Sequence, residues 1–599
     1  MNLKAADTRD WAVSTPTINR SDGAGGQPTP THSAKWVFPE QTDAIAISAL
    51  AAELCLPRAA AQILWLRGLR DGASAEAFLN PRLEDMHDPF LLLDMEPAVE
   101  RVRRAISNAE AIEIHGDYDV DGVTSTVILK KAIEMAGGSA GWFIPHRLRD
   151  GYGMQPEAVD GAAARGARLL VSVDNGIRAK AAIERARELG IDVVVTDHHL
   201  PEATLPNAYA IVNPNRQGCG YPNKDLCGAG VAFKLAHGIL SRVGWPEAKL
   251  RRVLESFLKL VAIATIADIV PITGENRIVV KHGLAGLADV RNAGLRALLT
   301  AAGFREKIPN ETEIAFRVAP AINASGRMDS AGAAVEMLLT ADGERAAEIA
   351  RRLFELNTER QAAERAMVKQ ILDQCLETPV TDAERTLVFW GEGWHRGVAG
   401  IVASRVVEKF HRPAVVLGVE NGVATGSGRS IEAFHLLDAL ESMRELFTKF
   451  GGHAHAAGLT LGAGNLDTFR ERLNAWATDR LAPEDMRPVV APDVVVEAQE
   501  LDDNLWNALQ HIGPFGMGNK RPLFAMRGVE LAGAPQLWNE KHLKILVRQG
   551  KRTRLLKGFG MAHLAEELLG VHRVDVTFEM DRDLWGGWGL VARACRAAE

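Results

Sequence analysis

The sequence has few cysteines, and their spacing argues against the two commonest kinds of cysteine site. Only five occur in 599 residues, and Cys55, Cys219, Cys227, Cys375 and Cys595 form no C-x-x-C pair. A disulfide framework and a four-cysteine zinc site are therefore not indicated. Cys219 and Cys227 could approach each other on a loop, but the sequence offers no further soft ligand near them. We expect reduced thiols with structural roles.

An excess of positive charge is also missing. The formal net charge is −7 and the pI is about 6.2, so no overall basic field attracts nucleic acid or a membrane. Any binding of nucleic acid must then depend on a local basic groove.

Long apolar runs are absent from the sequence as well. No uninterrupted stretch is long enough to span a bilayer. The N-terminus has no apolar core of a secretory signal, and Asp7 and Asp10 argue against a transit peptide. We therefore expect a cytoplasmic protein that does not contact a membrane.

The remaining composition is that of a globular protein, with 47% hydrophobic and 24% charged residues. The chain is too long for one core and suggests about three or four domains. Residues 1–34 are rich in Ser, Thr, Pro and Gly, which predicts a disordered tail. Residues 35–100 alternate short apolar runs with Pro and charge, which predicts a small N-terminal helical region.

The pattern then changes twice along the chain. Over residues 101–340, Val- and Ile-rich runs alternate with amphipathic segments, which predicts βαβ units and a parallel sheet. Residues 341–378 predict one long charged helix, with a break considered near Asn357. Residues 379–480 predict a second α/β domain. Short apolar runs separated by turn residues over 485–599 predict a small β-barrel.

Three acidic clusters follow predicted strands of the parallel sheet: HGDYDVDG from His115, VDNG with Asp174, and TDHH with Asp197, His198 and His199. In such sheets ligands bind beyond the carboxyl ends of the strands. Each cluster alone could be an ordinary turn. Together they would place many carboxylates at one spot, which costs too much unless a cation neutralises them.

The residue types indicate the metal. His115, Asp119 and Asp121 can converge at a strand-to-loop turn, and their mixed oxygen and nitrogen donors suit Mn²⁺ better than Mg²⁺. The loops can also supply a carboxylate that bridges two ions. Paired ions of this kind catalyse phosphoryl transfer.

These clusters, together with TIADIVP and INASGRM, resemble the motif series of the DHH phosphoesterases. Within that superfamily the chain is similar to the exonucleases that degrade single-stranded DNA from 5′ to 3′. The resemblance covers about residues 35–599 and includes GWHRGVAGIVASR, GSGRS, GGHAHAAG and HIGPFGMGN. It implies an α/β multidomain fold: a DHH parallel-sheet domain and a DHHA1 α/β domain joined by a long helix, then a C-terminal OB-fold β-barrel.

The resemblance also implies a set of ligands for two ions, Mn²⁺ or Mg²⁺. The ligands of the first ion would be His115, Asp119 and Asp174. The ligands of the second ion would be Asp121, Asp174, His198 and Asp268, with Asp174 as the bridge. From the residues alone, Asp268 could equally cap the segment that follows it.

Further roles are implied around the ions. His199 would face the scissile phosphate, Asp197 would orient the histidine pair, and Asp117 would be a supporting residue. The catalytic set would therefore be Asp174, Asp197 and His199.

The glycine-rich motifs are suited to phosphate, because backbone N–H groups and arginine forks bind its oxygens. The resemblance implies that such motifs contact the DNA backbone and its 5′ end. The residues expected to bind the substrate are Asn323, Ser325, Arg327, Ser427, Arg429, Gly451, Gly452 and His453.

The last domain contains a basic stretch that could follow phosphates but would also suit ordinary solvated β-strands. Its cations are Lys541, Lys544, Arg548, Lys551, Arg552 and Arg554. Trp538, Trp585 and Trp588 could be platforms for bases or parts of the core.

We therefore expect a two-metal exonuclease that releases 5′-mononucleotides from single-stranded DNA during DNA repair and recombination. The implied partners are single-stranded DNA, a helicase and a single-strand-binding protein, and a monomer is expected. Two alternatives remain. One is a DHH hydrolase of oligoribonucleotides, cyclic dinucleotides or pyrophosphate, although such enzymes lack the extra OB-like domain. The other is a catalytically dead scaffold, which the intact acids and histidines argue against.

Overall fold

The structure is a computed structural model that describes residues 34–39, 43–147, 149–151, 153–583 and 586–598. The predicted tail, residues 1–34, lies outside the described residues except for Ala34. The chain divides into two compact units. One contains residues 70–360 and 510–521 and is called the parallel-sheet unit; the other contains residues up to 69, 361–509 and 522–599 and is called the two-sheet unit.

The helices, in chain order, are α1 Ala44–Glu53, α2 Arg58–Leu66, α3 Gly72–Leu79, α4 Met95–Ser107, α5 Val120–Met135, α6 Pro156–Ala164, α7 Lys180–Glu188, α8 Gly228–Ser241, α9 Glu247–Ala267, α10 Gly274–Gly286, α11 Ala293–Ala301, α12 Glu311–Glu313, α13 Ala319–Met328, α14 Gly332–Leu339, α15 Gly343–Glu377, α16 Ala399–Phe410, α17 Leu436–Glu441, α18 Leu466–Thr478, α19 Asp503–Ile512 and α20 Leu564–Glu567.

The strands, in chain order, are β1 Lys35–Trp36, β2 Ile112–His115, β3 Ala140–Phe143, β4 Leu169–Val173, β5 Asp192–Thr196, β6 Ala210–Val212, β7 Leu387–Glu392, β8 Ala414–Glu420, β9 Val423–Arg429, β10 Phe447–Gly452, β11 Ala456–Gly462, β12 Val489–Val490, β13 Val494–Val495, β14 Phe524–Leu531, β15 Gln536–Trp538, β16 His542–Gln549, β17 Arg552–Gly558, β18 Arg573–Arg582 and β19 Trp588–Ala597.

The parallel-sheet unit is built on a five-stranded sheet with the order β3-β2-β4-β5-β6. All its strand pairs are parallel. Alternate residues along β4 and β5 pack on opposite faces: Val171 and Val194 face the core formed with α4 and α8, whereas Leu170 and Val193 face the core formed with α6 and α7. Burial on both faces explains why these strands are apolar throughout. The predicted βαβ pattern is therefore confirmed.

The register of this sheet fixes where the acidic clusters lie. His115 at the end of β2 pairs with Ser172 of β4, and Val173 at the end of β4 pairs with Thr196 of β5. Because the strands are parallel, the loops that follow them begin at the same edge of the sheet. All three clusters lie in these loops.

A buried ion pair links distant segments of the same unit. Lys234 of α8 donates to Glu275 of α10 at 2.5 Å, and both side chains are almost fully buried. Tyr221 and the backbone N–H of His87 also donate to the Glu275 carboxylate, at 2.7 and 3.0 Å. Burial lowers the pKa of Lys234, against the opposing charge of Glu275. Each charge therefore depends on the other to remain buried.

The two-sheet unit contains a mixed sheet with the order β10-β11-β9-β8-β7. Strands β7 and β8 are parallel and the other pairs are antiparallel. Its core includes Leu436 of α17 and Phe469 and Leu473 of α18. This is the predicted second α/β domain.

A β-barrel follows in the same unit. Its strand order is β13-β14-β18-β19-β17-β16-β15, and an additional pairing of β14 with β16 closes five strands into a ring. Phe524 and Phe578 stack inside it with ring centroids 6.0 Å apart. Closure removes exposed strand edges, and the predicted small barrel is confirmed.

Helix α15 runs without interruption over its 35 residues, all of them described, and passes Asn357 without a break. Among the helices that the structure describes, none alone is both long and apolar enough to cross a membrane. One pair, α1 and α2, meets that length and composition only when taken together across a bend of 111°.

We predict that Lys234→Met lowers the free energy of unfolding by about 3–5 kcal/mol, because it leaves the Glu275 carboxylate buried without its counter-charge. Chemical denaturation at neutral pH measures the change. The double variant Lys234→Met with Glu275→Gln should recover a large part of the loss, since a neutral amide needs no counter-charge. Equal stability of the single variant and the wild type would contradict this account.

Candidate metal centre and strand-binding elements

Three carboxylates from separate segments of the parallel-sheet unit lie around one imidazole nitrogen. His198 Nε2 lies 3.2 Å from Asp174 Oδ1, 3.7 Å from Asp268 Oδ2 and 3.8 Å from Asp121 Oδ2. These are the four residues expected to bind the second ion. Asp268 is the residue that follows α9, so the end of that helix brings its carboxylate to the sheet edge.

Asp174 also belongs to two further groups of ligand atoms, each with its members within 4.8 Å of one another. One joins it with Asp117 and Asp119, the other with His198 and His199. Asp119 and Asp174 were expected at the first ion, but Asp117 was expected only as a support. Asp174 therefore lies beside residues from both of the expected ligand sets.

His115 lies at the end of β2 and is buried. Its Nε2 is 2.8 Å from Glu113 Oε1. Its Nδ1 has no hydrogen-bond partner among the described residues. His115 therefore retains one nitrogen that can act as a ligand.

Helix starts hold the carboxylates of the first cluster. Asp119 is the N-cap of α5 and accepts hydrogen bonds from the N–H groups of Asp121 and Gly122, at 2.9 and 3.1 Å. Asp121 accepts from the N–H groups of Gly228 and Ala229 at the start of α8, each at 2.6 Å. These donors orient the carboxylates and favour their negative charge.

Asp174 is held by its backbone and by a glycine neighbour. Its φ is +61°, a left-handed conformation that costs free energy for most residues and is often found at functional sites. A Cβ atom at Gly228 would lie 2.5 Å from Asp174 Cβ, so only glycine permits this approach. The fold therefore tolerates local strain to place this carboxylate at the centre of the cluster.

The electrostatics of the cluster favour a cation. Burial and neighbouring carboxylates raise the pKa of Asp117, Asp121 and Asp174, and they raise the pKa of Asp268 to about 9. Burial lowers the pKa of His198.

Several buried ligand atoms of the cluster also lack a hydrogen-bond partner within the described part of the chain. They are His115 Nδ1, Asp117 Oδ1, Asp174 Oδ1 and His198 Nε2. Buried polar atoms normally have partners. Carboxylate oxygens and imidazole nitrogens without hydrogen-bond partners are suitable ligands for Mn²⁺. The part of the cluster that contains mainly carboxylates also suits Mg²⁺.

The Asp197 carboxylate holds the two histidines of the TDHH cluster in position. It accepts from the N–H groups of Ile177, His198 and His199, at 2.9, 2.8 and 3.1 Å, and lies 2.7 Å from His199 Nδ1. Although burial opposes it, the Asp197 hydrogen bond raises the pKa of His199 to about 9. A cavity of about 200 Å³ opens beside His199 and Asp197.

Sequence reasoning missed the residues that hold the loops in place. Asn175 donates to the His115 carbonyl at 3.1 Å, Asn213 to the His199 carbonyl at 2.9 Å and Asn215 to the His198 carbonyl at 2.7 Å. Glu113, beside His115, was also missed. The three asparagines are common turn residues, so only their contacts distinguish them.

The INASGRM motif lies in α13 of the same unit. Asn323 accepts from the N–H of Val120 at 3.0 Å and so contacts the start of α5. Arg327 is partly exposed. Ser325 is fully buried, and its hydroxyl donates to the Ile322 carbonyl at 2.7 Å. Its expected contact with substrate stays a prediction.

The GSGRS motif lies on β9 of the two-sheet unit. Arg429 donates to the Ser427 hydroxyl at 2.8 Å, and Ser427 donates to the Ala457 carbonyl at 3.0 Å. A Cβ at Gly400, near the start of α16, would lie 2.9 Å from Arg429 Nη2. The glycine lets a helix start approach a serine and an arginine, a combination suited to an anion.

The GGHAHAAG motif forms the hairpin between β10 and β11. Gly451, Gly452 and His453 are exposed there, and the His453 N–H donates to the Ala456 carbonyl at 2.8 Å. Gly452 has a φ of +155°, and a Cβ there would lie 2.2 Å from the Ala456 carbonyl oxygen. The motif therefore presents bare backbone at the hairpin tip.

One face of the barrel carries aromatic and basic side chains together. Trp538, His542 and Phe559 form a ring cluster with centroid separations of 5.2 to 5.7 Å. Lys544 Nζ lies 5.7 Å from the Trp538 ring. Leu546 and Leu555, directly paired on β16 and β17, are exposed on the same surface. We call these six residues the barrel strip.

Three other candidates in the barrel have hydrogen-bond partners within the two-sheet unit. Arg554 donates to the carbonyls of Ala498 and Leu501, and the Trp588 indole donates to Asp503. Arg548 pairs with Glu530. Trp585 lies outside the described residues.

Comparison with known proteins agrees with this division of the chain. Residues 111–265 match the model of the DHH family N-terminal domain, residues 383–479 match the DHHA1 domain, and residues 492–589 match the RecJ OB domain.

Full-length relatives cover nearly all of the chain. It is 36% identical over 551 residues to the single-stranded-DNA-specific exonuclease RecJ of Bacillus subtilis, covering 91% of this chain and 68% of the relative. It is 37% identical to RecJ of Escherichia coli, covering 82% of this chain and 87% of the relative.

Solved structures give the same relationship. The crystal structure of RecJ from Thermus thermophilus in complex with Mn²⁺ superposes with a TM-score of 0.80 at 29% identity, covering 94% of this chain and 80% of that one. The same enzyme with Mg²⁺ gives a TM-score of 0.75. Since relatives above 30% identity are matched over more than two thirds of both chains, this protein belongs to the RecJ family of DHH exonucleases.

Proposed function

We propose that this protein is a single-stranded-DNA-specific exonuclease that hydrolyses DNA from the 5′ end with two Mn²⁺ or Mg²⁺ ions and releases 5′-mononucleotides. We further propose that it acts in DNA repair and recombination. The observation that carries the proposal is the position of Asp174, which lies between the two sets of ligand atoms in the acidic centre. Membership of the RecJ family supports the same activity.

The two sets of ligands share Asp174. Asp121, His198 and Asp268 would complete the set for one ion. Asp119 and His115 would complete the set for the other. Asp119 lies in one group of ligand atoms with Asp117 and Asp174, and His115 offers its Nδ1. When bound, two ions at such a centre polarise the phosphodiester and neutralise the charge that develops on it.

The protein's own residues hold the reacting groups. Asp197 anchors His199 through Nδ1, so the other side of the ring is the one that can meet the scissile phosphate. The N-termini of α5 and α8 fix Asp119 and Asp121 before substrate arrives. This preorganisation is the main contribution that a protein makes to phosphoryl transfer.

Substrate contacts are proposed on both units. Asn323 and Arg327 on the parallel-sheet unit, and Ser427 and Arg429 on the two-sheet unit, would bind backbone phosphates. The bare hairpin tip at Gly451, Gly452 and His453 would face the nucleotide. The barrel strip would stack bases and contact phosphates, as OB folds do for single strands.

Two alternatives are less well supported. A hydrolase of short nucleotides or pyrophosphate would not need the barrel that matches the RecJ OB domain. A dead scaffold would not need the complete set of proposed ligands, of which His115, Asp121 and Asp174 are buried.

The wider context stays a prediction. It comprises a helicase partner, a single-strand-binding protein, a monomeric state and a cytoplasmic location; the five free cysteines support a reducing compartment. The predicted domain limits 101–340, 379–480 and 485–599 also stay predictions, and the matched segments fall within them.

Asp174→Asn should abolish cleavage of single-stranded DNA. We expect a rate loss of roughly 10³-fold or more, since the bridging charge contributes several kcal/mol of stabilisation. The assay follows 3′-labelled single-stranded DNA with Mn²⁺ over time.

Matched duplex and 5′-blocked DNA serve as controls in that assay. A descending ladder on the open single strand alone supports the proposal. Cleavage of dinucleotides but not of long DNA would favour the short-nucleotide hydrolase. Binding of DNA without any cleavage would favour the scaffold.

The same substitution should stabilise the metal-free protein. Asn accepts the left-handed φ at position 174 more readily and removes a buried charge, so we expect a gain of about 1–3 kcal/mol. Thermal unfolding in chelator measures it. Mn²⁺ at about 100 times its Kd should stabilise the wild type by about 2.7 kcal/mol. A variant less stable than the wild type in chelator would refute the repulsion argument.

Trp538→Ala should weaken the binding of single-stranded DNA by about 1–3 kcal/mol, or roughly 5- to 150-fold, through loss of base stacking. Fluorescence anisotropy with an oligothymidylate, in the Asp174→Asn background to prevent degradation, measures the Kd. Trp588→Ala is the matched control, because Trp588 lies outside the barrel strip and its indole donates to Asp503 at the start of α19. Unchanged affinity in Trp538→Ala would remove the barrel strip from the binding surface.

A further inference from the structure

Glu113 is a carboxylate in an unusual place. It lies in β2, a strand whose four residues are all buried, and only 6% of the residue is exposed. It precedes His115 by two positions, so both side chains project to the same side of the strand. A charge at such a position needs a specific reason to be there.

Arg165 compensates this charge. It follows α6, and its side chain is 54% exposed. Its Nε donates to Glu113 Oε2 and its Nη2 to Glu113 Oε1, each at 2.8 Å. Such a bidentate fork fixes the plane of the carboxylate as well as its charge. Glu113 therefore has one orientation.

That orientation directs Oε1 at His115 Nε2, at 2.8 Å. A carboxylate can only accept, so the imidazole proton must be on Nε2. The neutral ring then has its lone pair on Nδ1. This is the buried nitrogen for which the described residues provide no hydrogen-bond partner.

We infer that Glu113, held by Arg165, is a positioning residue that fixes the tautomer of His115 so that Nδ1 presents its lone pair to the first metal ion. Histidines that bind metals commonly donate their second N–H to a carboxylate in this way. The inference rests on the proposed metal centre and adds two residues to it. Neither residue touches the substrate.

The alternative is that Glu113 and Arg165 form only a structural pair. In such a pair, both Arg165 hydrogen bonds to Glu113 form without any contribution from His115. A purely structural pair would give no reason for the short contact to Nε2 or for the orientation of an unpartnered Nδ1. The two explanations differ in what a neutral side chain at position 113 should do.

Glu113→Leu separates them. It removes both carboxylate oxygens, so the Nε2–H of His115 loses its acceptor. The Nε2–H tautomer is then no longer favoured, and a proton on Nδ1 would block the metal. We expect the Mn²⁺ affinity of the metal-free protein to fall about 10- to 100-fold by calorimetry.

The tautomer is read directly by ¹⁵N spectra of histidine-labelled, metal-free protein at one fixed pH, with the His115 signals assigned from His115→Asn. The wild type should carry the proton on Nε2, and Glu113→Leu should lose this preference. Glu110→Leu is the matched control, because Glu110 also pairs with an arginine, Arg101, and should leave tautomer and affinity unchanged.

A wild-type signal from the Nδ1–H tautomer would overturn the inference, and this result does not depend on any Glu113 variant folding. So would a folded Glu113→Leu protein whose tautomer and Mn²⁺ affinity match the wild type. If the wild type shows the expected tautomer and binds Mn²⁺ but does not cleave DNA, the proposed function fails while this inference stands.

Discussion

The mutual repulsion of buried carboxylates around Asp174 is the constraint on which the rest of the site depends. Asp117, Asp121 and Asp174 are each at most 3% exposed, and burial together with neighbouring negative charge raises the pKa of all three. In the absence of a cation this arrangement opposes folding. The surrounding structure must therefore hold these carboxylates in place, and the contacts show which interactions do so.

Three kinds of interaction hold the carboxylates in place. Parallel strands bring the loops to one edge of the sheet, and helix N-termini donate N–H groups to Asp119 and Asp121. Side-chain amides tie the backbone of the DHH segment in place. The Asp197 carboxylate holds the two histidines in position, because it accepts hydrogen bonds from the backbone N–H groups of both. The site is thus formed before a metal or a substrate binds.

Much of this could be predicted from the sequence, for an identifiable reason. A parallel sheet converts three short motifs, far apart in sequence, into neighbours, so HGDYDVDG, VDNG and TDHH indicate a common site from pattern alone. Asp268 could not be found that way. It ends a helix in an apolar segment, and only the resemblance to DHH phosphoesterases singled it out before the contact with His198 was known.

Residues whose role is to hold other residues were the hardest to predict. In the sequence, Glu113 looks like an ordinary polar residue of an alternating strand. Its contact with Arg165, 52 positions later, is visible only in the structure. Ser325 shows another limit of motif patterns. It lies in a motif rich in candidate phosphate ligands, yet the helical backbone directs its hydroxyl to Ile322. Motifs identify a site, whereas the direction of each side chain is decided by packing.

The overall charge of the protein adds a last constraint. A chain with a net charge of −7 and an acidic centre repels a polyanion at the place where it must react. Basic and aromatic elements such as Arg327, Arg429 and the barrel strip can attract DNA locally, but they cannot reverse the sign of the centre. Cations bound at the proposed ligands around Asp174 would reverse it. Metal binding there would then favour the approach of the scissile phosphate as well as its hydrolysis.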